Sequence, residues 1–382
     1  MENPKYDVIA VGSGPGGSVA ASIAARNGLK TLLVDREQFP REKACGDAVP
    51  TSAFELMEQI GLKDTFHSAG FLDIEKVKII GPKGASMTLK FTPNQGMGTR
   101  VVSRYVFDQI LHQHAIDSGA DFCELNVIAP LIEEGVVVGI TCKLGSKTTN
   151  YRSKVVIAAD GATSTIARGL NVPFRADKDK AVALRGYIET DIDLEPIVDF
   201  SFFEAIQPGY AWFFPTGKRQ ANIGVGMRAD FYKKKGITLP NALQMYMQSE
   251  FIRDRVGSHL VNDVKSWQLP LCSTQQKNVF SGAILIGDAG GFVNPLTGAG
   301  IYQAMITGKY AADTATNAIR VNDVSEKQLH PFETLCRREL GWEMKRSTYV
   351  QQVISHFPSL MDAILLTSRL TPGLARYIIG KV

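Results

Sequence analysis

Six residues near the start, Gly12-Ser13-Gly14-Pro15-Gly16-Gly17, constrain the fold of this chain more than any other feature. They follow an apolar, branched run, Tyr6-Asp7-Val8-Ile9-Ala10-Val11, which reads as a buried strand. The alanine-rich stretch 18–27 after them reads as a helix, with Gly28 at its end. Thr31-Leu32-Leu33-Val34 is a second strand, closed by Asp35. Gly12, Gly14 and Gly17 therefore stand as G-x-G-x-x-G between a strand and a helix. The first glycine makes a tight turn and the second lets a pyrophosphate approach the backbone. The third lets helix and strand pack closely, and the helix N-terminus, with Pro15 and Gly16 in the turn, offers free N–H groups. Asp35 lies 18 positions after Gly17 (35 − 17), where a carboxylate accepts ribose hydroxyls, with Arg36 beside it. Dinucleotide binding follows, without yet separating a nicotinamide from a flavin.

Composition narrows the class. A chain of 382 residues, 45% hydrophobic and 21% charged, buries a sizeable core and is not disordered. The five cysteines, Cys45, Cys123, Cys142, Cys272 and Cys336, are scattered and never spaced C-x-x-C, which fits a reducing compartment. Formal charge of +4 is too mild for nucleic acid and leaves an anionic membrane surface open. The N-terminus shows no leader pattern. Apolar runs stop far short of the ~20 residues of a membrane span. The expected setting is cytoplasmic, with possible association with a membrane.

Further strands are expected at 76–80, 136–143 and 155–159, and helices at 105–118, 241–255, 300–319 and 325–353. Between about 173 and 273 the texture changes to alternating stretches, 199–204, 210–214 and 220–227, which predict an antiparallel sheet. The expected fold class is α/β: a Rossmann-like domain of segments 1–75, 100–172 and 274–320, interrupted by an antiparallel substrate domain of 76–99 and 173–273. A helical region, 321–382, follows.

Two later segments select the flavin. Asp160 follows a strand in Ala159-Asp160-Gly161-Ala162-Thr163-Ser164, and Leu285-Ile286-Gly287-Asp288-Ala289 ends another. Pro295-Leu296-Thr297-Gly298-Ala299-Gly300-Ile301 then opens a helix. Asp288 at a strand end suits ribityl hydroxyls, and the glycine-rich helix N-terminus suits a ring that gains negative charge on reduction. An extended FAD uses such a second site. With these elements in order the chain resembles the FAD enzymes of the aromatic-hydroxylase type. The resemblance extends to Val102-Ser103-Arg104-Tyr105, whose arginine would reach the ribityl-pyrophosphate region, and implies an adenine contact near Val127.

Two places carry a closer resemblance, to the geranylgeranyl reductase family. Lys43-Ala44-Cys45-Gly46-Asp47-Ala48 is similar to that family's K-x-C-G-x-G loop, departing from it at Ala48. Gly209-Tyr210-Ala211-Trp212-Phe213-Phe214-Pro215, with Gly224-Val225-Gly226, matches its Y-x-W-x-F-P-x8-G-x-G motif. The resemblance implies that Cys45, Gly46 and Ala48 lie beside the isoalloxazine. It also implies that Tyr210, Trp212 and Phe214, with Pro295, contact a prenyl substrate whose C=C bonds are reduced. Alternation alone puts the three aromatics on one face, as domain core or as a channel wall. Cys45 is either a small buried hydrophobe or a thiol that orients the alkene or relays a proton. A twenty-carbon chain burying ~0.8 kcal/mol per methylene gains up to ~16 kcal/mol before binding costs, so the headgroup leaves little imprint.

The remaining features carry less. His112 and His114 are two apart on an expected helix and point to different faces, so no metal site is proposed. Lys233-Lys234-Lys235 and Arg337-Arg338 read as solvated faces, or as contacts to acidic lipid or a diphosphate. The stretch 356–382 is a helical lid or a membrane contact. The resemblance implies an FAD-dependent reductase of a prenyl-chain lipid, prenyl diphosphate, quinone or pigment, with NADPH or another reductant as donor and no reading of oligomeric state. The rivals are a flavin monooxygenase or halogenase of the same fold, and a flavin-loaded prenyl carrier without turnover.

Overall fold

A first sheet grows from Tyr6–Val11, in which Val8, Ile9 and Ala10 are wholly buried, as a strand covered on both faces requires. The computed structural model describes residues 5–69, 71–90 and 99–368. Tyr6–Val11 pairs in parallel with Thr31–Asp35 on one side and Lys147–Ala158 on the other. Asp121–Glu124 extends the sheet in parallel at one end, and Ala283–Leu285 in parallel toward the other, which Val279–Phe280 closes antiparallel. Lys147–Ala158 begins well before the expected 155, because its first half forms a hairpin with Val136–Leu144, which pairs in turn with Asn126–Glu133.

A second sheet runs in the order Asn262–Pro270, Lys180–Glu189, Gln220–Arg228, Gly209–Gly217, Ile197–Ser201, Lys76–Ile80, Ser86–Lys90. Its neighbours are antiparallel except Ile197–Ser201 with Lys76–Ile80, which run parallel. The chain is thus α/β, a Rossmann-like sheet interrupted by a largely antiparallel one, with helices at its C-terminal end. Three short strands, Ala48–Pro50, Thr99–Val101 and Leu72–Ile74, form a third sheet.

Two expected helices are broken. The helix expected over 241–255 is Leu239–Gln248 and a separate Arg253–Val256. Ser249 turns extended and its hydroxyl donates to Tyr246 O, an alternative to continued helix. The helix expected over 325–353 is Glu326–Leu329 followed by Pro331–His356. Pro331 lacks an N–H and occupies the first position of a new helix, where none is needed. Leu360–Ser368 follows, and Met361 and Leu365 pack with Ile74, Val77, Trp212 and Phe214. Up to residue 368 the C-terminal stretch covers the core as a lid; the rest of that expectation, 369–382, lies outside the described residues. Among the described residues no helix is long and apolar enough to cross a membrane.

Candidate active site

The first helix, Pro15–Arg26, begins inside the glycine turn. Gly12 has φ +97°, and a Cβ there would meet Ala159 O at 2.4 Å. On Gly17 a Cβ would meet Gly12 O at 1.8 Å, so only glycine lets the helix sit on the strand. Gly14 differs: a Cβ would meet only the tip of Arg41, at 3.7 Å, and the residue lines a cavity. That cavity, of about 650 Å³, lies between the two large sheets.

The cavity gathers most of the residues singled out in the sequence. Gly12, Gly14, Pro15, Gly16, Asp35 and Arg36 line it from the first sheet, with Arg104, Val127, Asp160 and Asp288. Cys45 and Gly46 enter from the loop, and Gly298, Gly300 and Ile301 from the start of helix Ile301–Arg320. Tyr210, Trp212, Phe214 and Pro295 complete the wall. Gly17 and Ala48 do not line it. Gly17 is buried under the turn, and Ala48 is drawn into strand Ala48–Pro50, paired with Val101. The departure at Ala48 is harmless there, because the left-handed backbone falls on Asp47, at φ +63°.

The carboxylates differ in what is left for a ligand. Asp35 accepts from Ser13 N at 2.7 Å and Glu37 N at 3.1 Å, with lone pairs to spare. Asp160 accepts from Ser164 Oγ, Thr165 N and Ile166 N, so its side chain anchors helix Thr165–Gly169. Nothing among the described residues donates to the carboxylate of Asp288. Burial pushes Asp288 upward, while Lys43 and Arg104 pull it back. Lys43 sits over the Trp267 ring, 3.2 Å from its centre, and burial lowers it to about 8 against the pull of Asp288.

Arg104, the first residue of helix Arg104–Asp117, is held bidentate by Asp108 at 2.6 and 2.7 Å. Asp108 also takes Arg41 at 3.1 Å. Arg104 therefore reaches the cavity with its charge already compensated. Cys45 is half-buried; burial raises its thiol, outweighing the opposing pull of Arg104, and the charge of Asp47 adds a lesser push upward. The thiol stays protonated in neutral solution.

Several residues were given no role in the site by the sequence. Asn222 accepts from Trp212 Nε1 at 2.8 Å and donates to Cys45 O at 2.8 Å and Asp47 Oδ2 at 2.9 Å. Tyr187 donates to the same Asp47 oxygen at 2.6 Å. Asp47 is fully buried, and burial raises its carboxyl to about 6 despite both donors. His112 lies with Nδ1 2.8 Å from Ser13 Oγ and stacks on Phe39, steadying the glycine turn. Among the described residues no group of three or more His, Cys, Asp or Glu side chains is placed to hold a metal ion.

Tyr210, Trp212 and Phe214 share one face of Gly209–Gly217 and pack with Ile354, Met361 and Leu365, while Ala211 and Phe213 face the opposite core. Trp212 is 6% exposed and Phe214 4%. These rings are at once domain core and cavity wall. Gly224 makes room for them, since a Cβ there would lie 2.2 Å from the Trp212 ring. Tyr210 OH donates to Thr297 O, tying the wall to the loop before helix Ile301–Arg320.

Residues 5–307 match the family model of an FAD binding domain. A digeranylgeranylglycerophospholipid reductase of Methanosphaerula palustris is 35% identical over 335 residues, 86% of this chain and 81% of the relative. A geranylgeranyl bacteriochlorophyll reductase-like protein of Thermoplasma acidophilum superposes with TM-score 0.85 at 24% identity, over 99% of both chains. A flavin-dependent brominase superposes with TM-score 0.79 at 22% identity, over 98% of this chain and 93% of its own. Both structures share the fold.

Proposed function

The chain belongs to the geranylgeranyl reductase family of FAD-binding proteins, and on that premise we propose that it saturates isolated C=C bonds in the polyprenyl chains of a glycerophospholipid. The observation that carries the reading is the Asn222 clamp. It fastens the aromatic wall to the Cys45 loop inside the cavity that also receives the glycine turn.

The residues present fit FAD. Gly14 leaves a cradle that a Cβ would fill, Asp288 offers an unengaged carboxylate, and the start of helix Ile301–Arg320 faces the same space. In this reading Gly12, Pro15 and Gly16 take the pyrophosphate with the helix N-terminus. Asp35 and Arg36 flank the adenosine ribose, and Val127 meets the adenine. Arg104 and Asp288 address the ribityl region, and Gly298, Gly300 and Ile301 the ring. Asp160 acts by holding its turn. FAD, when bound, supplies the hydride for one alkene carbon, with NADPH or another reductant as the source of electrons.

This chain's residues do the rest. Tyr210, Trp212, Phe214 and Pro295 hold the prenyl chain and exclude water, each buried methylene contributing ~0.8 kcal/mol. Cys45, protonated at neutral pH, holds a proton beside the reacting chain. Close alignment in a dry cavity lowers a barrier that an unactivated alkene presents to both hydride and proton.

The test is anaerobic turnover of a geranylgeranylated glycerophospholipid by the chemically reduced holoprotein, read by product mass. Each reduced bond adds two hydrogens. A need for oxygen, with a hydroxylated or halogenated product, would put the chain with the monooxygenases; a reduced flavin that no alkene reoxidises would make it a carrier.

A further inference from the structure

Helix Pro331–His356 has two unlike faces. Inward, Leu340, Met344 and Ile354 are buried, and Gln351 and Ile354 line the cavity. Gln351 also donates to Pro295 O at 2.9 Å. Outward, Trp342 is 73% exposed and Tyr349 is 68% exposed. Phe357, just past the last turn, is 65% exposed. The spacing from Trp342 through Lys345 and Arg346 to Tyr349 is i, i+3, i+4, i+7, which sets all four on one side. Arg338 stands one turn earlier on that side, and Leu366 of the next helix is 55% exposed.

The acids of the same helix are drawn away from this face. Glu339 accepts from Tyr302 OH at 2.7 Å and Tyr310 OH at 3.2 Å, both on helix Ile301–Arg320. Glu343 accepts from Asn294 Nδ2 at 2.8 Å, and Glu333 from Asn278 N at 3.3 Å. The outer face carries Trp342 and Tyr349 with Arg338 and Lys345, and its one neighbouring acid on this helix, Glu339, is exposed but engaged by two tyrosine hydroxyls. Tryptophan and tyrosine, apolar in body and polar at the tip, suit the boundary between headgroups and acyl chains. Lysine and arginine gain there from anionic headgroups. An acidic protein would answer the cations, but two exposed rings two turns apart on the same side as those cations, with Phe357 exposed just beyond the last turn, call for an apolar layer as well.

We infer that this face seats on the headgroup layer of an anionic lipid membrane, so that the helix walling the cavity lies against the membrane that supplies the lipid. The substrate part of this rests on the proposed reductase function; the membrane contact does not, and is read without turnover.

Holoprotein is sedimented with vesicles of phosphatidylglycerol and, separately, of phosphatidylcholine. Binding to the anionic vesicles is expected, weakened about fivefold by Lys345→Glu or Arg338→Glu, and about tenfold by Trp342→Ala with Tyr349→Ala. The variants should retain their flavin spectrum and turn over detergent-dispersed substrate at the parent rate. Equal vesicle binding by parent and variants would overturn the assignment. So would a parent dimer that the aromatic variant dissolves without vesicles, which makes the occupant a second copy. Trp342 fluorescence already shifted to the blue and indifferent to vesicles would overturn it too, pointing to residues 369–382 as the cover. A protein that binds vesicles through this face yet reduces no alkene would sink the reductase reading and leave the contact standing.

Discussion

Asn222 shows how much of this site hangs on one amide. Its oxygen receives the Trp212 indole, and its two N–H bonds go to the Cys45 carbonyl and the Asp47 carboxylate. Asn222→Ala leaves three buried partners short, so a loss of about 2–4 kcal/mol of stability is expected from unmet polar groups. It should also slow alkene-dependent flavin reoxidation more than flavin reduction, because the Cys45 loop loses its tie to the aromatic wall. Thermal melting and stopped-flow on the one variant measure both, and equal slowing of the two half-reactions would count against the positioning role. Asp47 makes a prediction in pH. Its folded pKa, about 6, lies above the ordinary 3.8, so the fold prefers the protonated acid. That contribution is complete below pH 3.8 and is lost as pH rises through 6, amounting to roughly 3 kcal/mol. Asp47→Asn cannot ionise. The melting temperature of the variant minus that of the parent should therefore climb between pH 4 and 7, and a flat difference would refute the assignment. Neither role was legible in the sequence. Asp47 stood in the motif only as its variable position, and a polar side chain within a strand, such as Asn222, looks solvent-facing until a second layer is known to cover that face.

At the scale of elements, helix packing explains glycines that no phosphate touches. A Cβ on Gly308 would lie 2.3 Å from Gly16 O, so helix Ile301–Arg320 rests directly on helix Pro15–Arg26. Gly308→Val should force the two apart, costing about 1–3 kcal/mol or more, and should raise the dissociation constant for FAD, measured by flavin fluorescence on release. The two strand-end aspartates separate by the same reasoning. Asp160→Ala removes the anchor of helix Thr165–Gly169 and should lower the melting temperature, by about 0.5–2 kcal/mol in stability. Asp288→Ala removes no side-chain hydrogen bond among the described residues, so flavin retention should fall further than in Asp160→Ala with little change in the fold. The first sheet and its glycine turn were readable because strand, turn and helix lie within thirty residues and obey local rules. Where the helix over 241–255 breaks was not, since periodicity continues across Ser249 while the backbone does not; the break within 325–353 falls at Pro331, a local signal that the continuing periodicity masked.

For the molecule as a whole, the cavity exists because two sheets, a loop and the C-terminal helices close on one space, and the aromatic strand is where they meet. Tyr210, Trp212 and Phe214 touch the cavity and pack with Met361, Leu365 and Ile354, the last of which lines the cavity as well. The motif announced the aromatics and their shared face. That they are at once core and wall depends on the helices beyond residue 331 folding back over them, which no local pattern encodes. A rigid wall of this kind would fix the prenyl chain without having to be ordered by it. Trp212→Ala should therefore fail on two counts: about 3–5 kcal/mol of stability from the void, and about 1–3 kcal/mol of prenyl binding. Trp212→Phe, which keeps most of the packing but not the bond to Asn222, should recover much of the stability while binding stays weakened. Melting curves with and without a saturating prenyl lipid separate the terms. If Trp212→Ala destabilises the protein but binds the lipid with parent affinity, the rings are core alone and the chain runs along another wall of the cavity.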